Sequence, residues 1–154
     1  MKFAEGTTVA EEKTRAEIET TVRRYGASEF ASGWSGALAS IQFTANGRRV
    51  RLSLELPDDG WARDELMKAK RPRYWNRDRI PAEACAPLVA AESRRRWRCL
   101  LLAIKAKLEV VESGIATFDE EFLAHIVRPD GRTVYDAIMA EAVNGRPLLG
   151  PVSP

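Results

Sequence analysis

Two cysteines and one histidine are the only thiol and imidazole ligands that this 154-residue chain offers to zinc. Cys85 and Cys99 lack the CxxC spacing, and with His125 they fall short of four ligands, so no metal or cofactor is expected. Long apolar runs are missing too. The densest, around residues 99–103, is far shorter than the ~20 residues that cross a bilayer, and the opening MKFAEGTTVAEEK has no signal-peptide core. No membrane association is expected, and with both thiols free a cytoplasmic setting is the economical one. Catalytic patterns are equally scarce. Ser35, Ser40 and Ser53 have no GxSxG context, and Gly33, Gly36 and Gly47 do not form a phosphate loop ahead of a helix. His125 has Glu121 one turn away but no nucleophile placed to work with it, so it reads as a surface or capping histidine. No enzymatic activity is expected.

A strong net charge is absent, the formal value being +2. Its distribution carries more information. Between Arg63 and Arg98, eleven Lys and Arg stand against five Asp and Glu, an excess of six within a mildly acidic remainder. Such a basic centre points towards an anionic partner.

The chain is organised around residues 87–113, where Trp97, Leu101, Ile104, Leu108 and Val111 recur at steps of four and three. That spacing puts them on one stripe of a helix, widened by Leu100, with Arg95, Lys105, Glu109 and Glu112 on the solvated side. A short first turn over residues 81–85 is expected to break before Pro87, and Gly114 to close the helix. Upstream, Thr8 and Glu11 suggest a capping box opening a thin amphipathic helix over residues 9–25, with Ile18, Val22 and Tyr25 inward. A weak strand over residues 28–34 would turn Phe30 and Trp34 to one face.

The sharpest local signal is a hairpin. Residues 38–44 and 49–56 alternate apolar and polar side chains around Asn46-Gly47, a favoured type I′ turn. A two-residue loop pairs Phe43 with Val50, Ile41 with Leu52 and Ala39 with Leu54, while Gln42 meets Arg51 and Thr44 meets Arg49. Turn chemistry and face pattern therefore agree. After Pro57-Asp58-Asp59-Gly60, a short helix over residues 63–70 precedes a long loop bounded by Pro72 and Pro81. Thr117 and Glu120 form a second capping box for residues 118–126, with Phe118, Phe122 and Ile126 sharing a face. Thr133 caps residues 134–143, whose Ile138, Met139 and Ala142 are expected inward. Residues 126–134 could instead form a small hairpin around Pro129-Asp130-Gly131. One α+β domain over residues 1–145 follows, a three-stranded antiparallel sheet on a long amphipathic helix with short helices added. Residues 146–154, with three prolines, would be an extended or disordered tail.

Two clusters stand out as candidate sites. In the loop, Lys68, Lys70, Arg71, Arg73, Arg77 and Arg79 interleave with Tyr74 and Trp75. Arginines fork onto phosphate oxygens and aromatic rings stack on bases, so the pattern suits nucleic acid or a nucleotide. The plainer reading is a solvated loop whose aromatics cover the sheet edge. On the long helix, Arg94 and Arg98 lie one turn apart and could act together. The four arginines of 94–98 span more than half the circumference and cannot all face one ligand. Arg49 and Arg51 could join if the outer hairpin face is open. Trp97 reads as core.

The run from Trp97 to Glu109, continued by VESGIATFDEEFLAHIVRPDGRTV, resembles a group of uncharacterised bacteriophage and prophage proteins, with further likeness near Gly47-Arg48-Arg49-Val50-Arg51. The likeness spans about two thirds of the chain. It implies a phage-derived protein acting in bacterial host cytoplasm and brings no assigned activity or functional residue. The order helix, three strands, helix is also similar to the double-stranded RNA-binding domain, but the basic cluster at the start of that family's last helix is lacking, so only topology is shared. The first expectation is therefore a non-enzymatic accessory protein binding nucleic acid in phage DNA replication or recombination. The second is an anti-defence protein that inhibits a bacterial host protein or sequesters a nucleotide signal. A third is self-assembly into a homodimer through Trp97, Leu100 and Leu101.

Overall fold

The computed structural model describes residues 2–69 and 73–145, with side chains from residue 10 onward. The order is α1 (Lys2–Arg24), β1 (Glu29–Ser35), β2 (Leu38–Ala45), β3 (Arg48–Glu55), α2 (Asp59–Met67), a 3-10 turn at Arg77–Arg79, α3 (Ala82–Glu112), α4 (Phe118–Phe122), a second 3-10 turn at Leu123–His125, and α5 (Val134–Val143). The three strands form an antiparallel meander with β2 central, so the fold is α+β.

The hairpin register is the one its turn dictates: Phe43 opposite Val50, Ile41 opposite Leu52, Ala39 opposite Leu54. Asn46 and Gly47 take φ of 51° and 69°, the left-handed pair a type I′ turn requires. Alternation then divides the sheet. Ala39, Ile41, Phe43, Val50 and Leu52 are buried on one face. Across that face lie α1 and α3, with Ile18 and Val22 from the first and Trp97, Leu101, Ile104 and Leu108 from the second completing the core. Each of these large side chains contributes about 1.5–3 kcal/mol on burial, so the stripe anchors the sheet to the helix.

Several expectations are corrected. Helix α1 begins well before Thr8, and Glu11 closes no capping box; its carboxylate accepts a hydrogen bond from the buried Ser93 hydroxyl of α3. Helix α2 starts at Asp59 rather than 63, because the Asp58 carboxylate caps it by accepting from the Trp61 N–H at 2.7 Å. Helix α3 runs unbroken from residue 82 through Pro87. Proline there removes one helical bond, from its missing N–H to the Glu83 carbonyl, in a second turn exposed to water. Trp97 and Leu101 are buried within the chain, so the α3 stripe is not left for self-association.

The Thr117–Glu120 capping box is present, but α4 stops at Phe122. Phe122 stacks on Phe118 at 4.6 Å and meets Phe43 edge-on at 5.9 Å. Ile126 then leaves the helical path to bridge Val50, and Val127 pairs with Thr133 across the Pro-Asp-Gly turn. The hairpin alternative is thus the one adopted. In α5 the buried residue is Ala137, while Ile138 and Met139 are exposed. On β1, Phe30 packs on the core, while Trp34, on the same face at the sheet edge, is 73% exposed. The expected tail lies outside the described residues.

Candidate nucleic-acid interface

The basic loop is held by a small apolar core and by the hydrogen bonds that Arg63 and Arg77 make between it and α2. Ile80 is buried with Ala62 and Cys85, and Trp61, Tyr74, Leu88 and Val89 pack around them in a second small core beside α3. Asn76 opens the 3-10 turn by accepting from the Asp78 N–H at 2.9 Å. Arg63 donates to the Ile80 carbonyl at 3.2 Å. Arg77 donates to the Asp64 carboxylate and to the Gly60 carbonyl. The hydrogen bond from Arg77 holds the Asp64 carboxyl below the usual carboxylate range. Arg77 is therefore an anchor that ties the loop to α2.

The expected site residues divide on this geometry. Tyr74 packs into the small core, and Lys68 is paired with Glu65 at 2.6 Å. Lys70 and Arg71 lie outside the described residues. Arg73, Trp75 and Arg79 are exposed, and neither arginine makes an ion pair among the described residues. Trp75 is 96% exposed. An indole so fully hydrated on an anchored turn forgoes its burial energy, and Arg73 and Arg79 stand two and four residues from it in the chain. Stacking on a base while Arg73 and Arg79 take phosphates is the chemistry this arrangement offers.

Arg94 and Arg98 take part in a different feature. With Lys13, Thr14 and Glu17 of α1 and Ala91 and Arg95 of α3, they line a groove of about 510 Å³ between the two helices. Glu17, the acid in it, is engaged by Lys105 at 2.6 Å. That hydrogen bond lowers the Glu17 carboxyl, and the fields of Arg98 and Lys13 add to the effect. Arg98 and Lys13 are exposed and form no ion pair among the described residues. Lys13 was not foreseen as a site residue. Its spacing to Glu17 places the two on one face of α1, but only the packing on α3 reveals which face.

Arg95 and Arg96 serve structure instead. Glu92 accepts from Arg95 at 2.7 Å and from Arg96 at 2.9 Å, which pushes its carboxyl down to about 2. Arg96 also donates to the Glu55 carbonyl at 2.6 Å and lies over the Trp61 ring at 5.6 Å. Residues two positions apart on a helix differ by about 200°, so Arg94 and Arg98 point away from the α2 side where Arg96 and the loop lie. Arg51 donates to the Gly131 carbonyl at 2.7 Å on the outer sheet face. The sheet separates it and Arg49 from the groove.

No family model, curated protein or solved structure matches this chain. The phage likeness read from the sequence has no counterpart in these comparisons. Among the described residues, no group of His, Cys, Asp and Glu could hold a metal, and no helix is long and apolar enough to cross a membrane. His125 is half-buried, and desolvation lowers its pKa with help from Lys107.

Proposed function

We propose that this protein binds single-stranded nucleic acid without catalysing a reaction, with Trp75 stacking on an unpaired base and Arg73 and Arg79 contacting flanking phosphates. The observation that carries this is the 96% exposure of Trp75 on a loop pinned at Tyr74, Arg77 and Ile80. An anchored loop presents the ring with little ordering left to do on binding. Unpaired bases suit it better than duplex, whose bases are already stacked. In the phage setting implied by the sequence resemblance, the role would be that of an accessory in DNA replication or recombination.

The test is fluorescence anisotropy with a labelled oligonucleotide, single-stranded and duplex, between 50 and 200 mM salt. Preference for the single strand and a falling log–log salt dependence are expected, with Trp75→Ala weakening binding about 5- to 150-fold. Removing Arg73 and Arg79 should flatten the slope by roughly 0.7 per phosphate contact. Equal affinity of Trp75→Ala and wild type would refute the reading.

The α1–α3 groove supports a second reading, capture of a nucleotide signal in an anti-defence role. Its volume of about 510 Å³ falls in the range of small-molecule sites, and Lys13, Arg94 and Arg98 line it. A thermal shift produced by mononucleotides or cyclic nucleotides but not by oligonucleotides would favour this reading.

A further inference from the structure

The two edges of the sheet are not equivalent. Strand β3 is partly covered, since Ile126 bridges Val50, the Val127 N–H reaches the Arg49 carbonyl at 2.8 Å, and Arg51 reaches Gly131. Among the described residues, no strand pairs with β1 on its outer side. Its sequence, Glu29–Ser35, holds no Lys, Arg or Pro, the residues with which proteins commonly protect an open edge. It carries instead the 73%-exposed Trp34 and the half-buried Phe30.

We infer that β1 pairs antiparallel with β1 of a second copy of this chain, about a two-fold axis through Ser32. Backbone parity gives the register. Ser35 and Leu38 flank the two-residue turn between β1 and β2 and form its closing hydrogen-bonded pair, so Gly33 and Ala31 also bond inward to β2. The N–H and C=O groups of Phe30, Ser32 and Trp34 consequently point outward. Antiparallel pairing centred on Ser32 sets Phe30 against Trp34 of the second copy and Ser32 against itself. It is the register that satisfies all three outward positions, and it brings each phenyl ring beside an indole.

Charge on α1 supports the same partner. Glu12, Arg15 and Glu19 line a groove with Phe30, Ser32 and Trp34, and Arg23 continues the row one turn on. The signs alternate along this face. Turned antiparallel about a point near residues 17–18, Glu12 meets Arg23 of the other copy. Within each copy Glu19 pairs with Arg23, and the Arg15 guanidinium lies over the Trp97 ring at 5.5 Å. The strand and helix rows are thus self-complementary about neighbouring points, as a two-fold interface demands. The two indoles alone would remove roughly 300 Å² from water. Strand backbones and helix rows would have to bring the total past about 1,000 Å² for a stable dimer. This face of α1 lies about 160° from the one lining the Arg94–Arg98 groove, so pairing leaves the Arg94–Arg98 groove of each copy open. The inference does not depend on what the protein binds.

Sedimentation equilibrium on the full chain tests it. Wild type is expected to be a dimer at tens of micromolar. Ser32→Pro should be monomeric with unchanged helix content, because the N–H it removes points away from β2. Arg23→Glu should weaken dimerisation about tenfold, and Glu12→Arg added to Arg23→Glu should restore it. That restoration cannot come from the Glu19–Arg23 pair within α1, which is lost in both variants. A monomeric wild type, a dimer that survives Ser32→Pro, or a swap that fails to restore association would each overturn the proposal.

Discussion

Glu92 sits where three elements meet, and replacing it with glutamine isolates the charge it contributes. The side chain is 12% exposed and accepts from both Arg95 and Arg96. Arg96 carries the connection onward to the Glu55 carbonyl at the end of β3 and to the Trp61 ring of α2. These bonds lower the carboxyl from 4.5 to about 2. At 1.36 kcal/mol per pH unit the interval sets a ceiling of about 3 kcal/mol. Arg95 is 64% exposed and screened by water, so about 1–2 kcal/mol is the expected loss in Glu92→Gln at neutral pH. For a depressed carboxyl the stabilisation is complete above pH 4.5 and lost as pH falls towards 2. Urea denaturation followed by circular dichroism at pH 7, 5 and 3 reads this directly. The wild-type advantage should be equal at pH 7 and 5 and fall below half by pH 3. A difference under about 0.3 kcal/mol at pH 7, or one unchanged at pH 3, would refute the network's stabilising role.

Two further outcomes follow from local geometry. Gly47→Ala places a side chain at φ +69° and should lower stability by about 1–2 kcal/mol, whereas Gly33→Ala, with open space around it, should change the urea midpoint little. Arg77→Ala unpins the loop from Asp64 and Gly60 without removing a phosphate contact. Oligonucleotide affinity should therefore fall while the salt slope stays at its wild-type value.

How much of this was legible in the sequence depended on whether the decisive chemistry was local. The β2–β3 hairpin could be read because Asn46-Gly47 fixes the turn and alternation independently fixes the faces. The α3 stripe could be read because 3.6-residue periodicity persists over four turns. Element ends were less visible where the capping group competes with a tertiary one. Glu11 looked like half of a capping box and is bound to Ser93 on another helix. Phe30 and Trp34 share one face as expected, but Ile138 read as inward and is exposed, because hydrophobicity marks a face, not how far the neighbouring element extends over it. In the basic centre, sequence showed the excess of cations but not their assignments. Asp64 and Glu92 engage Arg77, Arg95 and Arg96 in ion pairs, and only folding brings Lys13 of α1 beside Arg98 of α3.

Binding of a single-stranded oligonucleotide by wild type and Trp75→Ala, measured side by side at one moderate salt concentration, bears most directly on the proposed function. Tight wild-type binding that drops at least fivefold on loss of the indole, with the urea midpoint unchanged, is the expected result. Indistinguishable isotherms, or no wild-type binding at low salt, would contradict it.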